Sequence, residues 1–327
     1  MIKKNKLNSL EFFFNNNRIK PDQIMLMKGD ASNRVYSRIY QNNESMILMD
    51  DQDKLNLKKF LNVSQSFLEI ELSIPKIFCK DLDEGFALME DFGDTTYTNY
   101  INKNIEYDHL YENAIDVLLR IQKGLAPNYL DYFTDKRVIE EVSIFLDWTL
   151  PFYFKGRVNQ KLKNNFIDCW SEFAKVIFSK SNVITHFDFH IDNLIWLKNR
   201  KGFRRVGILD FQDALIGPPV YDLVSLLQDA RRDVDEGLQK KLINKFLKEN
   251  KYSMDEFKFL YDCVGAQRNT RILGVFARLK LRDNKDSYLK HMNRVWGYLK
   301  NNLQNPQLKD LHNCYSDFFP EEALHND

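Results

Sequence analysis

The sequence has few of the features that would classify it at once. Only four cysteines occur, at 79, 169, 263 and 314, and no two form a C-x-x-C pair. That excludes a disulfide frame and suits reduced thiols in a cytosolic protein. No run approaches the ~18 apolar residues of a membrane-spanning helix. Leu10-Glu-Phe-Phe-Phe14 is too short for a signal-peptide core and lies among polar residues. The net charge is +1, which gives no field for nucleic acid and no polybasic patch for a membrane surface. Neither G-x-G-x-x-G nor G-x-x-x-x-G-K-[ST] occurs, so a dinucleotide-binding Rossmann domain and a P-loop NTPase are disfavoured. The final third of the chain has no repeat or low-complexity tract. The expectation is a soluble, cytoplasmic chain with no nucleic-acid or membrane partner.

What is present can fill a core. Hydrophobic residues make up 44% of the 327 residues, with 25 Phe among them. That length fits one large domain or two lobes. The most informative stretch is Val183-Ile-Thr-His-Phe-Asp-Phe-His-Ile-Asp-Asn-Leu-Ile-Trp196, followed by Gly207-Ile-Leu-Asp-Phe-Gln-Asp213. It contains H-x-D-x-x-x-x-N, formed by His186, Asp188 and Asn193, with Asp210 after a short apolar run. Such a set suits phosphoryl transfer: Asp188 accepts a hydroxyl proton, while Asn193 and Asp210 hold Mg²⁺ on nucleotide phosphates. Leu194-Ile-Trp-Leu and Phe203-Arg-Arg-Val-Gly-Ile-Leu209 read as a hairpin around the turn Lys198–Gly202. The loops at one end of that hairpin would bring Asn193 and Asp210 to a shared cation, which prefers oxygen ligands.

The rest of the chain divides by pattern. A helix is expected before Pro21. Ile24-Met-Leu-Met, Arg34–Tyr40 and Ser45–Met49 read as a β-meander with turns at Lys28–Asn33 and Asn42–Glu44. The small-residue tip at 28–33 is an ordinary hairpin turn or a cradle of backbone N–H groups for phosphate. Lys54–Ile70 has helical spacing, and Ile77–Asp81 and Gly85–Met89 read as strands. Glu90-Asp-Phe-Gly-Asp94 then suits a hinge whose backbone can pair with an adenine, with Asp91 and Asp94 structural. From Tyr97 onward the pattern is helical, including Ile115–Ile121, Val138–Leu150 and Asn164–Lys180. Glu141, Phe145 and Trp148 share a helix face; the two aromatic residues are core or a sugar-stacking wall. Asp222 reads as an N-cap of the helix starting at Leu223. On a long helix near Asp255–Arg282, Arg268, Arg271, Arg278 and Arg282 fall in one arc beside Ile272, Phe276 and Leu279. That stripe is a solvated edge, or one or two of its arginines hold an anionic group.

The alternation of His186, Asp188, His190 and Asp192 also resembles a hydrolytic metal site. That reading leaves Asn193 and Asp210 without roles, and no other His-rich segment supplies ligands. His186 is expected to support the loop backbone, and His190 to do likewise or to touch phosphate. Asp192 is expected to be a solvated loop residue. Asp213 binds substrate or braces the loop.

These residues resemble the aminoglycoside phosphotransferase and choline kinase superfamily. Further segments resemble one subgroup, the cell-wall amino-sugar kinases. They are Gly29-Asp-Ala-Ser32, Leu88-Met-Glu-Asp-Phe-Gly-Asp94, Leu209-Asp-Phe-Gln-Asp-Ala214, Tyr221-Asp-Leu-Val-Ser-Leu226 and Gln267-Arg-Asn-Thr-Arg-Ile-Leu-Gly-Val-Phe-Ala-Arg-Leu279. The resemblance implies an α+β, bilobal protein-kinase-like fold. A small β-rich N-lobe would span 1–92 and a larger, mainly helical C-lobe 93–327. It implies ATP and Mg²⁺ as cofactors. Asp188 and His186 are then catalytic, and Asn193 and Asp210 hold the metal. Ser32, Asn33, Arg34, Met89, Glu90 and Asp91 line the nucleotide site. Asp213, Trp148, Arg268 and Arg271 meet the substrate, and Asp222, where kinase-like folds place an acid, also braces the catalytic loop. The acceptor implied is the anomeric hydroxyl of N-acetylmuramate or N-acetylglucosamine, in cell-wall recycling. Other readings are a kinase for an aminoglycoside or a choline-like amino alcohol, and a non-catalytic nucleotide-binding regulator. The superfamily's phosphate-gripping lysine is absent from Ser45-Met-Ile-Leu-Met-Asp50. Lys28, Arg34 or Arg38 are the substitutes at hand.

Overall fold

A computed structural model of the chain describes residues 4–27, 34–153, 159–316 and 318. The first elements are α1 (Lys4–Asn16), β1 (Gln23–Leu26), β2 (Val35–Gln41), β3 (Glu44–Asp50), α2 (Lys54–Glu69), β4 (Ile77–Asp81) and β5 (Phe86–Glu90). Next come α3 (Tyr97–Ile101), α4 (Asp108–Gln122), α5 (Asp135–Ile144), α6 (Leu150–Tyr153), α7 (Gln160–Ser179), β6 (Val183–Thr185), β7 (Leu194–Trp196), β8 (Val206–Ile208) and β9 (Leu215–Gly217). The remainder is helical: α8 (Tyr221–Leu227), α9 (Glu236–Glu249), α10 (Met254–Asp283), α11 (Met292–Leu303) and α12 (Lys309–Tyr315). The chain forms two compact units, Met1–Val117 with Asp192–Asp213, and Leu118–Ile191 with Ala214–Asp327.

In the first unit the five N-terminal strands make one antiparallel sheet in the order β1-β2-β3-β5-β4. Asn42 and Asn43 turn β2 into β3 at φ values of 53° and 64°. A two-residue hairpin needs that left-handed pair, and Asn tolerates it better than most residues. Phe13 and Phe14 of α1 close one patch of the sheet, packing with Ile39, Leu48, Phe86 and Leu88. The Asp53 side chain caps α2 by accepting from the Leu55 and Asn56 N–H groups. Leu57, Phe60, Val63 and Phe67 of α2 form its buried stripe. Burying each such side chain contributes roughly 1.5–3 kcal/mol.

The hairpin β7–β8 belongs to this same unit. Leu194 pairs with Ile208 and Trp196 with Val206. Main-chain bonds join it to earlier segments: Ile208 N–H to the Ser73 carbonyl and Trp196 N–H to the Thr95 carbonyl, both 2.8 Å. Gly207 lies so close to Phe92 that a Cβ would come within 2.7 Å of its ring. The return strand is shorter than the apolar run suggests. Gly202–Arg205 forms a 3-10 turn and only Val206–Ile208 pairs, because Gly202 bends the chain at a φ of 55°.

In the second unit β6 pairs antiparallel with β9, a strand that the sequence reading did not contain. Helix α10 begins with a capping box between Ser253 and Glu256. It ends at Asn284 in the left-handed conformation. Most of its middle is buried. The helix expected over Val138–Leu150 is interrupted: Phe145–Thr149 is a π-turn between α5 and α6. Gly274 of α10 permits the close approach there, since a Cβ would lie 2.6 Å from the Ile144 carbonyl carbon. The π-turn points Phe145 into an aromatic cluster with Phe166, Trp296 and Tyr315. Among the described residues no helix is long and apolar enough to cross a membrane.

Candidate functional site

Asn193 immediately precedes β7, and Asp210 lies two residues past the end of β8. Antiparallel pairing therefore sets both at the same end of the hairpin. The Leu209 N–H donates to the Asn193 carbonyl at 2.9 Å, which ties the two loops together. Asp210 has a φ of 57°, a costly conformation for a residue with a Cβ. Its neighbour Phe211 anchors it. That ring is fully buried and stacks on Phe60 at 4.9 Å, with Phe67 at 5.7 Å. The Asp210 side chain remains 47% exposed. Among the described residues no group of three or more His, Cys, Asp and Glu side chains forms a metal cage. One carboxylate and one amide oxygen suit Mg²⁺ instead, which keeps waters and takes its other oxygens from phosphates.

Arg34 and Arg38 also belong to this unit. The Arg34 Nε donates to Asp51 Oδ2 at 2.7 Å, and its Nη1 lies 3.8 Å from Asp210 Oδ1. Arg38 is engaged by Asp91 at 2.6 Å and by Asp94 at 2.8 and 3.0 Å. Hydrogen bonding to Asp94 raises the Arg38 guanidinium well above its ordinary value. The structural role expected for Asp91 and Asp94 is thus realised by one arginine. Glu90 pairs with Arg200 at 2.6 Å and its N–H donates to the Lys76 carbonyl. Met89 is buried in β5. Ser32 and Asn33, with the rest of the tip at 28–33, lie outside the described residues.

The second unit carries His186, Asp188 and His190; the chain crosses into the first between Ile191 and Asp192. The loop after β6 is held by buried acids. Asp222 accepts the N–H groups of His186 and Phe187 at 2.7 and 3.0 Å. Asp229, fully buried, accepts the Ile191 N–H at 3.4 Å. Asp222 thus braces the loop, as kinase-like folds imply; it is not the N-cap of α8, which starts one residue earlier at Tyr221. Phe187 adopts a φ of 73°, strained for a bulky residue. Its ring stacks on Tyr221 at 4.5 Å.

This brace presents Asp188. The Asp188 N–H donates to His186 Nδ1 at 3.2 Å, and its Oδ1 lies 3.3 Å from His190 Nε2. Its carboxylate is 44% exposed. Burial raises its proton affinity, but His190, Arg268 and His186 outweigh that and hold it well below the usual carboxylate range. Asp188 is thus an ionised acceptor with a defined direction. His190 faces Asp188, and Asp192 accepts a hydrogen bond from the Thr98 hydroxyl. Asp192 is therefore a brace within the first unit, not the solvated residue expected.

Residues 23–258 match the phosphotransferase enzyme family. The chain belongs to that family. An N-acetylmuramate/N-acetylglucosamine kinase of Caulobacter vibrioides is 30% identical over 90% of this chain and 92% of its own length. The kinase of that name from Neisseria meningitidis is 29% identical, over 83% of each chain. Among solved structures, an ADP-bound aminoglycoside phosphotransferase, APH(2'')-Ib, aligns with a TM-score of 0.62 at 14% identity. It covers 90% of this chain and 96% of that one. The choline kinase LicA of Streptococcus pneumoniae aligns at 0.61 with 12% identity, over 90% and 99%. The fold is accordingly protein-kinase-like and α+β, and the protein is a phosphotransferase that uses a hydroxyl acceptor.

In this phosphotransferase the arginine stripe of α10 is graded. Arg268 is buried and donates to the Gln228 carbonyl at 3.3 Å. Arg271 is half-buried, with Nε 3.5 Å from Glu141 Oε2. Arg282 is exposed and paired with Asp283. The long side chains wind past both the core and the surface, so one arc does not mean one environment. Phe145 is core, Trp148 is half-buried and Asp213 is exposed. The sequence reading gave no role to Asp51, Asp229 or Arg137.

Proposed function

We propose that this phosphotransferase moves the γ-phosphoryl group of ATP to the anomeric hydroxyl of an N-acetyl amino sugar. The single observation that carries the reading is the braced, ionised Asp188, five residues upstream of Asn193 in the H-x-D-x-x-x-x-N spacing. Asp188 orients the sugar hydroxyl and takes its proton as the oxygen attacks phosphorus, with ADP as the leaving group. His186 holds the main chain of Asp188. Asn193 and Asp210 hold Mg²⁺, which supplies charge neutralisation on the phosphate oxygens. Ser32, Asn33 and Arg34 serve the phosphates, and main-chain groups near Met89, Glu90 and Asp91 serve the base. Little covalent chemistry is asked of the protein beyond alignment and charge placement.

The amino-sugar acceptor is supported by the names of the two kinases above and by a basic side chain near Phe187. The Arg271 guanidinium lies 5.4 Å from the Phe187 ring centroid and the Arg137 guanidinium 4.8 Å. Glu141 faces both arginines, so the cluster stays net positive next to the loop of Asp188. That charge favours an acceptor with a carboxylate over a polycationic aminoglycoside. Wall-sugar recycling would place the reaction in the cytoplasm.

A coupled ADP-release assay over amino sugars, amino alcohols and aminoglycosides tests the reading. ADP release with an N-acetyl amino sugar, abolished in Asp188→Asn, is expected. Nucleotide binding with no turnover on any acceptor would instead mark a regulator.

A further inference from the structure

We infer that Arg34, locked in place by Asp51, is the side chain that grips the nucleotide phosphates in this protein. It stands in for the lysine that the third strand lacks. The inference rests on the ATP reading above.

Strand β3 reads Glu44-Ser-Met-Ile-Leu-Met-Asp50 and offers no cation. In protein kinases a third-strand lysine paired with a helix glutamate does this work. Arg38 is not available for it. Its guanidinium is bound by Asp91 and, through two nitrogens, by Asp94, and a phosphate would have to displace both acids. Lys28 lies outside the described residues.

Arg34 has a different setting. It precedes β2, where Val35 pairs with Asp50, so Arg34 and Asp51 meet across the open end of the hairpin. Arg34 is only 8% exposed, and such burial demands a partner for the charge. Asp51 provides it through Nε. Asp51 itself has little freedom. Its Oδ1 accepts the Asp53 N–H at 2.9 Å and its own N–H donates to the Gly85 carbonyl at 2.9 Å. Gly85, at a φ of 80°, sits against it so closely that a Cβ would come within 2.1 Å of the Asp51 carbonyl oxygen.

Two further contacts give the arginine its direction. Nη1 lies 3.8 Å from Asp210, the acid proposed to hold Mg²⁺. Arg34 and Asp51 also line a cavity of about 510 Å³ together with residues 52–56 at the start of α2. A guanidinium suits this double duty better than an ammonium. Its planar fork can bind Asp51 through one edge while another meets phosphate oxygens. The Arg34–Asp51 pair thus does for β2 and β3 what a lysine–glutamate pair does elsewhere.

Binding of ATP, ADP and adenosine to full-length wild type, Arg34→Ala, Arg34→Lys and Asp51→Asn, measured by calorimetry with and without Mg²⁺, tests the inference. Arg34→Ala is expected to weaken ATP about tenfold to hundredfold and adenosine by less than about twofold. Arg34→Lys should recover part of the loss, and Asp51→Asn should show an intermediate loss. Near-ultraviolet circular dichroism of each variant checks its fold; should Arg34→Ala not fold, Arg34→Lys and Asp51→Asn carry the test. Folded variants that bind ATP as wild type does would overturn the inference, and normal turnover in them would leave the kinase reading standing. A wild-type protein that binds no nucleotide would overturn both.

Discussion

Asp222 accepts the main-chain N–H groups of both His186 and Phe187, at 2.7 and 3.0 Å. One buried carboxylate thereby fixes the two residues before Asp188. It also offsets the strained φ of 73° at Phe187, a cost of about 1–3 kcal/mol. Positioning of the reacting group is built into the backbone of the loop, not into the side chain of Asp188.

Replacing Asp188 by Asn removes the proton acceptor and little else. Turnover should fall about 10²–10⁴-fold. Nucleotide affinity should stay within about twofold, since the base acts on the acceptor hydroxyl. Steady-state kinetics beside calorimetric ATP titration separates the two effects. Equal losses in both would mean that Asp188 holds the nucleotide.

The pH dependence should follow Asp222 and not Asp188. Asp188 is held ionised well below the usual range, so it gives no acid limb above about pH 4. Burial pushes Asp222 up to about 7. Protonation below that value removes an acceptor from the loop, so kcat should fall as pH drops through about 7. Stability should move the other way. The folded chain keeps a proton on Asp222 that the unfolded chain loses above about 4, so this group's share of stability is full below pH 4 and is lost as pH rises through about 7. In Asp222→Asn both dependences should flatten around a lower plateau of activity. A pH–rate profile with thermal melts at each pH gives the answer.

Phe211 anchors the residue proposed to hold the metal. Phe211→Ala empties a space between Phe60 and Phe67 and should cost about 3–5 kcal/mol. Urea unfolding measures this directly. A cost below about 1 kcal/mol would mean that α2 collapses onto the gap, and Asp210 would then need another anchor.

Arg271 is the stripe residue that is half-buried beside Phe187. Arg271→Ala should raise KM about tenfold for an acceptor with a carboxylate, and by less than about twofold for its neutral counterpart. Parallel kinetics on N-acetylmuramate and N-acetylglucosamine makes the comparison. An equal rise for both sugars would assign Arg271 to holding Glu141 in place.

The local pattern of the chain was enough for the small antiparallel sheet, the helices α2, α7 and α10, and the neighbouring loops that carry Asn193 and Asp210. Alternation in Arg34–Tyr40 and the Asn42-Asn43 turn specify β2 and β3 before any distant contact forms. The spacing from His186 to Asn193 named the reaction class because phosphoryl transfer asks for few groups in a fixed order. Partnerships across long sequence separations were a different matter. Nothing local tells Asp51 that it will hold Arg34, or Ser73 that it will bond Ile208; the brace of the catalytic loop by Asp222 came from the resemblance, not from local pattern. Nor does periodicity reveal a π-turn at Phe145, whose shift of phase is set by how closely Gly274 lets α10 approach. Helix and strand patterns arise from side chains a few residues apart, so they can be read along the chain. The choice of Arg34 over Arg38 as the available cation depends on which carboxylates the folded backbone brings within 3 Å of each, and only the tertiary structure makes that choice.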